Sequence, residues 1–304
     1  MNKQISILLA FVSALGFSAC DQFLDVELPG QEPKLVLNAL LENTDTIRVS
    51  LSKSRGILEG GQFDRFEPVK DARVFIKSDK GATIPLIFKD QKNPSEPFAY
   101  YYLAGFDFES GDRYEITAES PGFPSVNSQV VFPESILIKE ITYQDLGPSG
   151  SSQNQNLFEL TLKFEDPIAK TYYELDGSIF GRSTTQANSF YSSKLYPQPV
   201  NPAYEKDYRW GLGFLFSDVL LRGKDSEMVF RITLPIGFEL DVEINLAHVS
   251  ESYYKYHDSA ALQTYNRGDI LSQPVLIYNN IQNGLGIFSA RNRDQQILSI
   301  TVEN

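Results

Sequence analysis

The apolar residues of this chain recur at every second position, in short runs bounded by turn-forming clusters. That period is the strongest constraint on its fold. In "DTIRVSLSKS" (Asp45–Ser54), Ile47, Val49 and Leu51 face one way, and Arg48, Ser50 and Ser52 the other. "KLVLNALL" (Lys34–Leu41) precedes it across a tight turn at residues 42–44. "ARVFIKSDKGATIPLIF" (Ala72–Phe88) repeats the form around Asp79-Lys80-Gly81, and "FAYYYLAGF", "RYEITAESPGF" and "SVNSQVVFP" follow, the last closing at Pro133. Strands so spaced, with no helical period between them, predict a β-sandwich over residues 34–133.

Beyond Pro133 the alternation resumes. "SILIKEITYQ" and "LFELTLKFED" flank the polar stretch "DLGPSGSSQNQN" (Asp145–Asn156), which reads as the tip of a long hairpin in preference to an interdomain linker. "TYYELDGSIF", "MVFRITLP" and "FELDVEINLAHV" are three more strands, giving a larger β-sandwich or barrel-like domain over residues 134–304. One helix is expected near 251–267. Ser250 is placed to cap it, Arg267 to complement its C-terminal dipole and Gly268 to stop it, with Tyr253, Tyr256 and Ala260 on the packed face. The fold class is therefore mainly β, two consecutive sandwich-type domains with one packed α-helix.

"PVLIYNNIQNGLGIFSARN" (Pro274–Asn292) carries Gly284 and Gly286 and raises the question of a phosphate loop. Such a loop requires a strand, a glycine-rich turn and then a helix whose N-terminus meets the phosphates. Here "LGIFSA" alternates as a strand, so the expectation is a hairpin turning at Asn283-Gly284, with Gly286 admitting a close backbone.

The first 20 residues, "MNKQISILLAFVSALGFSAC", combine Lys3, an apolar stretch from Ile5 to Phe17, and small residues before Cys20. This is the plan of a secretory signal over residues 1–19, too short to span a bilayer. Cys20 is the only cysteine of the chain, so no internal disulfide can form. Its position resembles a lipobox, with Phe17 in place of the usual Leu. Diacylated Cys20 would then hold the protein to membrane lipid through an acidic tether, residues 20–33. The other reading is an ordinary signal peptide with an incidental cysteine. A net charge of -12 disfavours nucleic acid as a partner.

Two segments carry a family resemblance. "PVKDARVFIKSDKGATIPL" with "GDRYEITAESPGF" is similar to the transthyretin-like, or carboxypeptidase-regulatory, β-sandwich. The lipobox, the helix "SYYKYHDSAALQ" and the ending "QPVLIYNNIQNGLGIF" resemble an uncharacterised lipoprotein family of Bacteroidota known by a domain-of-unknown-function label. The resemblance implies an outer-membrane lipoprotein that serves as accessory partner of a TonB-dependent transporter in nutrient uptake. It brings no catalytic residues, and Asp21, Asp25 and Glu27 do not assign a face of that membrane.

No catalytic set is legible, and no enzyme activity or cofactor is expected. The histidines, His248 and His257, lack metal spacing, and no G-x-S-x-G elbow accompanies them. Asp107, Glu109 and Asp112 offer carboxylates for a loop cation. The binding candidates are Tyr191, Tyr196, Tyr204, Tyr208 and Trp210, clustered around Pro197, Pro199 and Pro202. Tyr and Trp on a proline-stiffened segment suit a protein interface and stack on sugar rings, giving a free-standing surface glycan- or protein-binding, adhesin-like module as the alternative function, with a glycan or peptide as its ligand. The competing account is that the loop folds over the sheet and buries its own rings.

Overall fold

The computed structural model describes residues 32–44, 46–56, 67–91, 98–150, 154–165, 170–204, 213–218, 221, 226–266, 273 and 275–303. The signal-like start, Cys20, the tether as far as residue 31, and the helix-ending pair Arg267 and Gly268 lie outside these. Residues Pro33–Asn304 make one compact unit. It is mainly β, with three sheets and, among the described residues, a single α-helix.

The first half supplies β1 (Leu35–Glu42), β2 (Thr46–Lys53), β3 (Arg73–Ser78), β4 (Thr83–Pro85), β5 (Ile87–Lys89), β6 (Tyr100–Ala104), β7 (Arg113–Glu119) and β8 (Val126–Val131). The second supplies β9 (Ile138–Pro148), β10 (Gln155–Phe164), β11 (Tyr172–Ser183), β12 (Phe190–Lys194), β13 (Gln198–Pro199), β14 (Phe214–Ser217), β15 (Ser226–Pro235), β16 (Phe238–Val249), the helix α1 (Glu251–Asn266) and β17 (Leu285–Val302). The expected hairpin of β9 and β10 forms, antiparallel and with two register shifts. Among its described residues, the segment around Pro197, Pro199 and Pro202 follows the short strand β12 and contributes β13 and a 3-10 turn at Pro202–Tyr204.

One long sheet runs through both halves in the order β12-β11-β16-β17-β1-β2-β6-β5, with β14 added to β11. Its spine is β17. The first part of that strand pairs in parallel with β1, from Val36 opposite Leu285 to Glu42 opposite Arg291. The remainder pairs antiparallel with β16, from Val249 opposite Arg291 to Phe238 opposite Val302. Two four-stranded sheets, β4-β3-β7-β8 and β13-β15-β10-β9, cover the two ends of one face.

Alternation explains the layering. In β1, Leu35, Leu37, Ala39 and Leu41 point inward and are buried, as are Leu240, Val242, Ile244 and Leu246 of β16. The inward rows close two cores. One joins β1, β2, β3, β7 and β8 residues with Phe288 and Ala290 of β17; the other joins β9–β11 and β14–β16 residues with Ile300 and Val302. Each fully buried Phe or Leu contributes about 1.5–3 kcal/mol relative to exposure. The cores divide near Pro133, while the strands do not form separate sheets on either side of it, because β17 serves both. Chain crossing between layers is visible at Pro85. Leu86 N–H donates to Val74 O at 2.8 Å, after which β5 pairs with β6 of the long sheet.

The C-terminal segment corrects one expectation. "VLIYNN" is not a strand, and no hairpin turns at Asn283-Gly284; residues 275–281 are irregular, and β17 leaves to pair with β1. Side-chain amides do the work of a ladder there. Asn280 Nδ2 donates to Phe288 O at 2.8 Å and its Oδ1 accepts from Phe288 N at 2.9 Å. Asn279 Oδ1 accepts from Ile281 N at 3.1 Å. Gly286 has φ +114°, and a Cβ there would lie 2.1 Å from Leu37 O, so the close approach expected of this glycine is present.

Candidate functional site

The face of the long sheet turned away from both cores carries the chemistry of the described residues. Its centre lies under α1. Ser250 Oγ caps the helix, accepting from Tyr253 N at 3.3 Å, and also from Ala290 N at 3.0 Å, which fixes the helix start to β17. Tyr253, Ala260 and Ala261 are the buried residues of α1, with Tyr256 only partly covered. Tyr253 packs with Tyr172, Ala247 and Val249 of the sheet, and Leu40, Leu215 and Tyr254 close around them.

Beside this contact the outward residues of four strands meet. Glu42 of β1, Glu174 and Asp176 of β11 and Asn245 of β16 converge on Arg291 of β17, which is 17% exposed. Arg291 Nε donates to Glu42 Oε1 at 2.6 Å, and its Nη1 donates to Glu174 Oε2 at 2.8 Å and Asp176 Oδ2 at 3.4 Å. Tyr253 O–H donates to Glu174 Oε2 at 2.8 Å, and Asn245 Nδ2 to Asp176 Oδ1 at 2.8 Å. Burial pushes the Glu174 carboxyl above its ordinary range, a push that Arg291 opposes and Asp176 reinforces. Burial also raises the Tyr253 phenol, as does the charge of Glu174, so the phenol stays a donor. Every carboxylate of the cluster is bound by the guanidinium or an amide, and the helix covers it. The arrangement acts as a brace between strands of both halves.

The two histidines do not act together, and His257 adjoins the brace through Tyr253. His248 Nδ1 lies 3.1 Å from Glu134 O. His257 sits with its ring 4.2 Å from that of Tyr253, and burial, helped by the charge of Arg291, pulls its pKa down to about 4. Asp112 and Glu109 are held by the Lys80 ammonium, which occupies the place a loop cation would take. Among the described residues no group of three or more His, Cys, Asp or Glu side chains could hold a metal ion.

The aromatic candidates are dispersed. Tyr191 is half-buried against the second core, with Phe238 at 5.8 Å, and Tyr204 packs edge-on to Phe214 and Phe216 at 6.3 and 5.8 Å. Both rings serve packing. Tyr196 is 55% exposed. Tyr208 and Trp210 lie outside the described residues.

Sequence reasoning did not single out a patch at the far end of the same face. Phe180 of β11 and Phe190 of β12, 38% and 78% exposed, lie on neighbouring strands there, with Ile297 of β17 on the same face beyond the Asp241 and Glu243 row of β16. Arg182, Glu239 and Asp241 border them, and Ser299 O–H donates to Asp241 Oδ1 at 2.6 Å. The available signal was register. Phe180 and Arg182 alternate with inward Ile179 in "SIFGR", but the face they share appears only once β12, β16 and β17 are paired.

No helix among the described residues is long and apolar enough to cross a membrane. No curated protein matches the sequence. A family model described as a domain of unknown function, DUF4249, matches residues 22–297, a span that takes in the first core, most of the second, the helix and β17 as far as Ile297. The chain belongs to the DUF4249 family.

Proposed function

We propose that this chain is a non-catalytic outer-membrane lipoprotein, held to lipid through acylated Cys20, that acts as the accessory binding partner of a TonB-dependent transporter in nutrient uptake. The observation that carries the binding role is the uncovered pair Phe180 and Phe190 with its border of Arg182, Glu239 and Asp241. An apolar centre with a charged rim is the anatomy of a protein interface. The brace around Arg291 supports the same reading, since it holds the face rigid and leaves its own charges engaged. The lipobox-like start and the family's resemblance to lipoproteins support the location and the kind of partner.

The test is gentle detergent extraction of the acylated protein from its native outer membrane, followed by mass spectrometry of what accompanies it. A barrel of the TonB-dependent class in stoichiometric amount is expected. Repeated recovery of the protein alone contradicts the reading.

A second reading, a free-standing module for glycan or peptide, rests on exposed Tyr196 at the edge of the Pro-rich loop. It predicts that Tyr196→Ala loses ligand on a glycan or peptide array while the fold is kept.

A further inference from the structure

At the other end of the outer face, over β1 and β2, lies a cavity of about 490 Å³. Its floor is the outward row Asn38, Ser50 and Ser52, and its walls are Phe98, Ile277, Leu285 and Tyr256. Small-molecule sites occupy roughly 300–1,000 Å³ and combine apolar walls with a few polar groups that fix orientation. This cavity has that form. None of the described residues lining it is charged, in a protein whose net charge is -12.

The polar groups on the floor are also unspent. Asn38, Ser50 and Ser52 stand on β-strands whose ladders use only backbone groups, and their side chains make no hydrogen bond among the described residues. The Tyr256 hydroxyl makes none either, and burial alone raises it. By contrast Asn279 and Asn280, close by, have amides engaged with backbone. The amide and hydroxyl groups of Asn38, Ser50 and Ser52 open into the cavity, where they are available to bond an occupant.

We infer that this cavity is a binding site for an uncharged, ring-bearing small molecule with one hydrogen-bonding edge. A flat apolar face meets Phe98, Tyr256 and Leu285, and the polar edge meets Asn38, Ser50 and Ser52. A charged ligand is disfavoured because no described lining residue compensates its desolvation. A polyol is disfavoured because its hydroxyls point in every direction, and those against the apolar walls would go unpaired. The site stands independently of a transporter partner, since the purified chain alone is expected to bind.

The experiment is titration of the purified full-length protein in nanodiscs with phenol and indole, read by ligand-observed NMR against empty nanodiscs. Benzoate, benzylammonium and methyl glucoside serve as the charged and polyol comparisons. Phenol and indole are expected to bind, the other three at least about tenfold more weakly. Ser50→Leu, which fills the floor, is expected to abolish binding with the thermal transition unchanged; Asn38→Leu is expected to weaken phenol about tenfold. Equal binding of charged probes, preference for the glucoside, retention of binding in Ser50→Leu, or no binding above empty nanodiscs would each overturn the inference.

Discussion

Arg291 Nη1 lies 2.8 Å from Glu174 Oε2, and this contact joins β17 to β11 across the strand β16 that separates them in the sheet. The same guanidinium holds Glu42 of β1 at 2.6 Å. One side chain thus ties the first strand of the described fold to the second half. Removing it would leave three carboxylates beside one another under a helix.

Arg291→Met is therefore expected to cost about 3–5 kcal/mol, as when a buried charge loses its partner. Glu174→Gln removes charge and keeps shape, so its cost should be smaller. Chemical denaturation midpoints at constant slope check both values. Equal and negligible losses would show that the cluster is not a brace.

The pH dependence follows from His257. Its folded pKa, about 4, is depressed from 6.5, chiefly by burial. A depressed value means the folded state prefers the neutral ring, so the contribution is fully present above pH 6.5 and is lost as pH falls through 4. It amounts to on the order of 3 kcal/mol. Glu174 works oppositely: its raised pKa favours the folded state at low pH and loses that contribution as pH rises. His257→Gln should therefore flatten the acid side of the stability curve. A wild-type melting temperature unchanged between pH 7 and pH 4 would contradict this assignment.

Gly286 and Gly105 separate two costs of replacing glycine. Both have positive φ, +114° and +69°, but a Cβ at Gly105 meets nothing within 4 Å, whereas at Gly286 it strikes Leu37 O. Gly105→Ala is expected to cost about 1 kcal/mol, from backbone strain alone. Gly286→Ala must also open the parallel pairing with β1, and is expected to cost several-fold more or to prevent folding. Comparable thermal transitions for the two variants would refute the close approach.

The strands were legible because their alternation survives without knowledge of their neighbours. "FELDVEINLAHV" forms β16 from its first residue to its last, and the helix begins where Ser250 caps it. The sharing of one sheet by both halves was not legible. Parallel pairing of β1 with β17 joins residues about 250 apart, and nothing local in either strand encodes that partner. "PVLIYNN" has strand composition, yet the amides of Asn279 and Asn280 take backbone groups that a ladder would use. The brace was hidden for a related reason. Glu174, Asp176 and Arg291 occupy outward positions that read as solvated faces until α1 covers them.

Tyr204 and Tyr196 give the sharpest contrast among the aromatic candidates. Tyr204→Ala removes a ring packed edge-on against Phe214 and Phe216 and is expected to cost about 3 kcal/mol or more. Tyr196→Ala should fall within about 0.5 kcal/mol of wild type. Urea denaturation of the two variants checks the difference, and an equal loss in both would place Tyr196 in the core.

The most direct measurement is recovery of partners from native outer membrane by two acylated chains, wild type and Phe190→Asp. The account predicts a TonB-dependent barrel in stoichiometric amount with wild type, and its loss with the variant, whose substitution sits on the exposed edge strand β12 and leaves the fold intact. A barrel recovered equally with both would contradict the patch as the interface. Recovery of neither complex would contradict the accessory role itself.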